Sequence, residues 1–472
     1  MKKKFENGLF IYRRDFRTVD NTGLNLLSRE CNNVYAIFIF TPEQVGSGNN
    51  FKSNNAVQFM IESLEDLAGQ IKRDGGRLVT FYGHNENVIP ECIAAWNIEI
   101  VSYNLDCTPY ARKRDDFIFD MCMKKDVIPA ATFDYYLLEL GSVTNSSGSI
   151  YQKFTPYYNA ALKKKVDEPA KATHINFANS TKQLRYTISL ADAMKKFVPS
   201  GPNPNILVHG GRAQAIKQLR NAMKSQQQYA KNHNQLSKPT SQLSAYIKFG
   251  CLSIREMYKA FRRNRDLVRQ LYWRDFYANV LLAYPHVLHK SLKSNYDKVK
   301  WHHNKRFLTA WQNGETGFPV VDACMKQLNT TGYLHNRGRL IVASFLVKTL
   351  LIDWREGERY FATQLTDYDV ASNNGNWGWI SGSGADSQPW FRIFNPWEQS
   401  KNYDANCEYI KHWLPQLSEL DSKTIHNWNT QYVNYKKNNK NNKTSIDYPE
   451  PICDYKIQKE LAMKMYEDAF KS

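Results

Sequence analysis

The thirteen residues from Asp367 to Trp379, DYDVASNNGNWGW, bring together two carboxylates, three amides, two glycines and two indoles. They follow neither the 3.6-residue period of an amphipathic helix nor the alternation of a strand. Upstream, HNRGRLIVASFLV places Asn336 and Arg339 three apart, on one face of a helix, with Arg337 turned elsewhere. The run after them is so apolar that Asn336 and Arg339 should sit at the mouth of a buried pocket. A buried guanidinium without a partner is costly, so Arg339 needs an anion or a carboxylate. Asp367 or Asp369 could supply one.

Two further stretches carry groups of the right kind. In KPTSQLSAYIKFGCLSIREMYKAF, Pro239 stops any preceding helix, Thr240, Ser241 and Ser244 stand where a helix starts, and Gly250 closes it. Free N–H groups and hydroxyls at a helix start suit a phosphate or pyrophosphate, although the same hydroxyls can simply cap helices. SIRE (253–256) reads as a capping box for the next helix. In RQLYWRDFYANV, Gln270, Trp273 and Arg274 share one helix face, with Asp275 diverging from Arg274. An indole beside an amide and a guanidinium can stack on a flat ligand and bond its edge.

These groups must be positioned by a chain of 472 residues, long enough for two or three domains. Short apolar strands at 8–12, 34–40, 77–83 and 98–104 alternate with helical stretches at about 55–72, at NVIPECIAAW and at TPYARKRDDFIFDMCMKK. That alternation predicts a parallel α/β sheet covered on both faces over residues 1–136. No GxGxxG follows the first strand, which argues against an ordinary dinucleotide site there. Residues 137–205 read as an interdomain connection, and 206–472 as an all-α domain. In that domain TGFPVVDACMKQLNTTG predicts a helix with Pro in its first turn and Gly beyond its end. GYLHNRGRLIVASFLVKTLLIDW predicts one long central helix, and NYKKNNKNNKTS (434–445) a solvated loop.

Composition narrows the partners. Lys and Arg number 63 against 45 acids, a net charge of +18, which favours a polyanion such as nucleic acid. The eight cysteines show no CxxC pair and no zinc spacing, so they read as reduced, mostly buried thiols, with no metal site. No apolar run reaches the length of a membrane span, and the N-terminal apolar run is too short for a signal peptide. The expected setting is intracellular, wherever the DNA is, and the expected state is a monomer.

DYDVASNNGNWGW, GYLHNRGRLIVASFLVKTLLIDWREGERYF, TSQLSAYIKFG and LYWRDFYANV, in this order and spacing, resemble the flavin-binding half of the photolyase/cryptochrome family. FIYRRDFRTVDNTGL (10–24) resembles its opening strand and loop, and the likeness is nearest to microbial class I photolyases. The resemblance implies an antenna domain, a long connection and a helical domain holding bent FAD. It implies that Tyr229 and Thr240, Ser241, Gln242, Leu243 and Ser244 line the FAD phosphates. Gln270 and Arg274 approach the cavity, and Asn336 and Arg339 flank the flavin. Asp367 and Asp369 then bond the flavin side and pair with Arg339, and Asn373 faces flavin N5. Trp273 and Trp379 form two walls of a lesion pocket. Trp377, Trp354 and Trp301 form an electron relay to the surface. Arg337, Arg392 and Gln399, with Gln270, Trp273, Arg274 and Asn336, make the DNA-binding rim.

The activity implied is light-driven repair of UV-damaged DNA. An electron passes from reduced FAD to a cyclobutane pyrimidine dimer and returns after the ring opens. Two features depart from the family pattern. Gln270 stands where class I enzymes usually carry Glu, as in cryptochromes and six-four photolyases. LHNR has Asn336 where six-four enzymes have the second His of a pair. YNLDCTPYARKRD (103–115) also lacks the Asn-Glu pair some relatives use for folate, leaving a second chromophore, folate or deazaflavin, open. The rival readings are a blue-light cryptochrome without repair activity and a non-enzymatic nucleic-acid binder. Against the cryptochrome, the chain ends too soon after its last helical stretch for a long C-terminal extension. Against the binder stands the complete flavin motif.

Overall fold

Five parallel strands form one sheet in the computed structural model, which describes residues 3–435 and 446–471. They are β1 (Phe5–Tyr12), β2 (Cys31–Phe40), β3 (Leu78–Tyr82), β4 (Ile100–Asn104) and β5 (Ile128–Thr132), in the order β3-β2-β1-β4-β5. Leu9 is in register with Tyr35 on one side and Val101 on the other, so β1 is central. Gly8 to Tyr12 are buried throughout, as a parallel sheet covered on both faces requires. Helices Thr22–Glu30, Asn54–Arg73, Asn85–Trp96 and Pro109–Lys124 make the crossovers. Four strands were legible as apolar runs. The fifth was not: β5, IPAAT, is a half-exposed edge paired only with β4, so it needs no continuous apolar run.

The stretch 137–205 returns to the sheet. It carries short helices Phe154–Ala161 and Leu190–Phe197 and makes isolated bridges from Phe177 to Val34 and from Thr187 to Phe81. Beyond Thr132 every named element among the described residues is helical. The SIRE capping box forms at Ser253 and Glu256, and Pro319–Thr331 ends at Gly332 with φ 65°. Seven of the eight free cysteines are buried. Most of the Asn- and Lys-rich stretch, from 436 to 445, lies outside the described residues.

Two sequence expectations are corrected. The single long helix is two, Asn336–Lys348 and Trp354–Gln364. Between them Leu351 takes a left-handed φ of 60°, and Asp353 caps the second helix by accepting from Arg355 N. Apolar residues fill the break as well as the helices, so composition hides it. The segment that looked like neither helix nor strand is largely a helix, Val370–Ser381, capped by Asp369 through Ser372 N at 3.0 Å. Core packs on one side of it and a cavity opens on the other, so polar residues do not mark a solvent face.

A buried ionic seam joins the two halves. Arg17 pairs with Asp134 at 2.5 Å and donates to Gly250 O at 3.1 Å. Arg255 reaches Asp20 at 3.0 Å and Asp134 at 2.7 Å, and Ser253 donates to Asp20. Gly250 has φ 62°, and a Cβ there would lie 2.4 Å from Arg14 O. Glycine therefore lets the loop after β1 press against the helical half.

Candidate functional site

Two adjoining lobes open in the helical half. The larger, about 410 Å³, is lined by Tyr229, Ser241, Leu243, Ser244, Gln270, Trp273, Arg274, Asn336, Arg339, Asp367, Asp369 and Trp379. The smaller, about 100 Å³, shares Asn336, Arg339, Asp367 and Asp369 and adds Asn373 and Trp377. The residues expected at the cofactor thus converge from separate helices, with two exceptions. Thr240 and Gln242 do not line the lobes: Thr240 Oγ1 bonds Tyr333 OH at 2.7 Å, and Gln242 takes φ 53°. The short helix begins at Ser244, not Thr240, because the preceding residues form an irregular loop.

The helix Arg265–Ala283 starts at Asn264, which accepts from Leu267 N, and presents Gln270, Trp273 and Arg274 to the larger lobe. Arg274 Nη1 donates to Tyr135 O at 2.6 Å, while its buried Nη2 has no hydrogen-bond partner. Asp275 points the other way and accepts from Leu137 N and Leu138 N. Burial raises its carboxyl to about 7.

The acids divide between two arginines. Arg339 Nη2 contacts both oxygens of Asp367, at 2.8 and 3.1 Å. Asp369 does not pair with Arg339, contrary to expectation. Its partner is Arg14, at 2.6 Å, from the loop after β1, because Asp369 as helix cap faces the sheet domain. Burial pushes the Asp369 carboxyl up, but Arg14 and Arg274 outweigh it and hold the group well below the usual carboxylate range. Arg14 also pairs with Asp106 at 2.8 Å and donates to Lys248 O. Asn373 Nδ2 donates to Glu358 O at 3.0 Å, which fixes the amide at the wall of the smaller lobe.

The rim residues are spread more widely. Asn336 is exposed at the mouth. Arg337 turns away, bonds Asn234 Oδ1 at 2.6 Å and lies over the Tyr403 ring. Arg392 is exposed, and its carbonyl accepts from the buried Lys348 ammonium at 2.9 Å. Gln399, on helix Pro396–Tyr403, has a buried Oε1 without a partner. Arg337, Arg392 and Gln399 do not line either lobe.

Trp377 and Trp354 are buried in one core cluster, with the half-buried Trp301 packed against it. Gly357, one turn beyond Trp354, presses on Trp377, and a Cβ there would lie 2.1 Å from its ring. His302 N donates to Leu351 O, tying the Trp301 segment to the turn before Trp354. Trp301 meets Tyr466 edge-on at 6.0 Å.

A second cavity of about 460 Å³ lies at the carboxyl edge of the sheet. The strand order reverses between β1 and β4, the place where open α/β sheets hold ligands. Arg13 and Arg14 follow β1, Asp106 follows β4, and Phe51, Tyr110 and Tyr135 add aromatic surface. Lys248 borders both this cavity and the larger helical lobe. Burial, then Arg14, lowers its ammonium to about 8. Sequence reading did not single out Arg14, Asp106 or Lys248. The RRDFR run directly after the first strand was the available signal.

A family model described as the FAD binding domain of DNA photolyase matches residues 267–468, and one described as DNA photolyase matches residues 9–174. The chain is 32% identical to the deoxyribodipyrimidine photo-lyase of Buchnera aphidicola subsp. Baizongia pistaciae, over 98% of both chains. It resembles the crystal structure of an archaeal photolyase from Sulfolobus tokodaii with two FAD molecules, at TM-score 0.86 and 34% identity, covering 98% of this chain and 100% of that one. A Synechocystis cryptochrome shares the fold at TM-score 0.86 and 26% identity, covering 98% of this chain and 100% of that one.

Proposed function

The chain belongs to the DNA photolyase family, and from that premise we propose that it is a deoxyribodipyrimidine photo-lyase, repairing cyclobutane pyrimidine dimers in DNA under light. The observation that carries the reading is a cavity walled by Trp273 and Trp379, with two arginine–aspartate pairs at its side.

The residues present fit FAD. Arg274 and Lys248 line the larger lobe and offer a diphosphate the positive charge it needs. Ser241 and Ser244 add hydroxyls beside it. Bound FAD, in its reduced form, would supply the light-driven electron for dimer splitting, which leaves no net redox change. The protein's part is position and field. Arg339 and Asp367 together offer the ligand edge donors and acceptors with no net charge. Asn373, held by Glu358 O, presents a neutral amide where a flavin N5 would lie. Trp377, Trp354 and Trp301 share one packed cluster and so offer a path for electrons from the surface to the cofactor.

On the DNA side, the +18 charge favours the phosphate backbone, and Arg337, Arg392 and Gln399 would engage it away from the cavity itself. A dimer is already weakly stacked, so extruding it between Trp273 and Trp379 costs less than extruding an intact base. Gln270 and Asn336, at the opening, would meet the polar edge of the dimer. The sheet-edge cavity would hold a second, light-harvesting chromophore, with Phe51, Tyr110 and Tyr135 as aromatic surface and Lys248 at its border. The protein acts as a monomer in this reading.

Gln270 is the one observation that favours a cryptochrome instead. Oligonucleotides carrying either a cyclobutane dimer or a six-four photoproduct, incubated with reduced protein in light and in darkness, separate the readings. We expect repair of the cyclobutane dimer only, and only in light. Repair of the six-four lesion alone overturns the substrate, and repair of neither favours the photoreceptor.

A further inference from the structure

Trp273 is half-buried, and one of its faces is already occupied. The ring of Phe154 lies parallel to it, with centroids 3.7 Å apart and planes 5° from each other. Phe154 is 1% exposed and belongs to the short helix Phe154–Ala161 in the connection that follows the sheet. The column continues outward: Tyr158 stacks behind Phe154 at 5.5 Å, and the exposed Arg269 lies over both rings, at 5.3 and 5.7 Å. Phe276 closes the edge of the indole at 5.6 Å and 88°. Gln152 O, two residues before Phe154, accepts from Asp386 N at 2.8 Å, which anchors this end of the connection on the helical half.

We propose that Phe154 is a positioning residue for the lesion pocket, holding the Trp273 indole in place so that a flipped base meets a stacking surface already set. The inference rests on the reading of Trp273 as a pocket wall. An indole free to change rotamer gives up that freedom when a base stacks on it, and the loss weakens binding. A flat ring packed on one face removes the alternatives beforehand. Phe154 therefore acts through Trp273, without touching DNA. The connection, which contributes no residue to the lining of the larger lobe, sets one of its two tryptophan walls.

The test compares dark binding of FAD-loaded protein to a dimer-containing duplex and to the same duplex undamaged. Phe154→Leu keeps apolar volume and loses the flat face. It should weaken binding of the dimer duplex about three- to tenfold, the range of an aromatic pair, with undamaged binding and FAD per chain unchanged. Phe154→Met is the second variant, measured in the same way if the leucine protein does not fold. In a Trp273→Ala background, either substitution should have no further effect on dimer binding, because neighbours acting through one group are not additive. Unchanged discrimination overturns the inference. Equal weakening on both duplexes, or a full additional loss in the Trp273→Ala background, overturns it too by showing general packing. If the parent protein itself fails to prefer the dimer duplex, the proposed function falls first, and the two failures are told apart.

Discussion

The cavity in the helical half and the cavity at the sheet edge share Lys248 and meet across the Arg14–Asp369 pair, yet they are built differently. The helical cavity takes much of its wall from helix faces, with Gln270, Trp273 and Arg274 on one helix and Asn336 and Arg339 on another. Asp367 and Asp369 are each matched to an arginine, and Asn373 and Arg274 are held by the carbonyls of Glu358 and Tyr135. The sheet-edge cavity combines loop ends after β1 and β4 with the helices Asn54–Arg73 and Pro109–Lys124, and its aromatics Phe51 and Tyr110 are each 37% exposed. Side chains locked by packing and ion pairs hold geometry more closely than exposed ones. The first cavity therefore suits one ligand whose reacting atoms must be aligned. The second suits a flat ligand that need only be near.

The largest effect should come from unbalancing the helical cavity. Asp367→Ala leaves Arg339 beside an apolar wall without its carboxylate. Arg339 retains 27% of its side-chain exposure, so the cost should be near the low end for a broken buried pair, about 3 kcal/mol. FAD recovered per chain after denaturation should fall more than tenfold. Any second chromophore that co-purifies at the sheet-edge cavity should be recovered in the same amount per chain. Equal losses at both cavities would abolish the distinction.

Arg14→Gln acts on the boundary between them. Asp369 has a folded carboxyl below its unfolded value of about 3.9. Such a group contributes stability that is present above the unfolded value and lost as pH falls through the folded one. The parent protein should therefore keep this contribution at pH 4–5. Without Arg14, burial acts against Arg274 and the Asp369 N-cap hydrogen bonds alone, and the carboxyl rises. The variant should lose about 1.5–3 kcal/mol of stability at neutral pH, the worth of a hydrogen bond to a charged group. Its acid release of FAD should begin about one pH unit higher. Superimposable acid-release curves for parent and variant would show that Arg14 does not hold Asp369 ionised.

The same contrast explains what could be read from the sequence. Gln270, Trp273 and Arg274 were legible as a set because a helix converts spacing into a shared face. So was the Arg339 requirement for a carboxylate, although which acid answered it was not. The pairing of Arg14 with Asp369 spans 355 positions and is fixed only when the sheet domain docks on the helical one. The sheet-edge cavity draws on several separated segments, among them two helices that were legible singly, and their convergence is set by the tertiary fold. The helix Val370–Ser381 was missed for a related reason. A helix between a core and a polar cavity does not show the apolar stripe that water imposes on a surface helix. β5 escaped because an edge strand can be short and half-exposed.

The smallest expected effect lies at the mouth of the helical cavity, at Gln270. Its Nε2 donates to Asp266 O, one turn earlier on its own helix, at 3.1 Å, and the residue is exposed. Glutamine keeps a donor and an acceptor at every pH, whereas an ionised glutamate only accepts. Gln270→Glu would remove the bond to Asp266 O and set a second carboxylate one turn from the Asp266 side chain. It would also face Arg274 at the favourable i, i+4 spacing, worth about 0.2–0.5 kcal/mol. These terms are small and opposed. The rate of light-driven dimer repair should change by less than about threefold, and the six-four photoproduct should remain unrepaired. The comparison sharpens here, because Gln270 stands at an exposed opening while Asp367 and Asp369 stand in the wall. Appearance of dimer repair in Gln270→Glu from a parent with none would reverse the argument. This amide would then be the group that separates a photoreceptor from an enzyme.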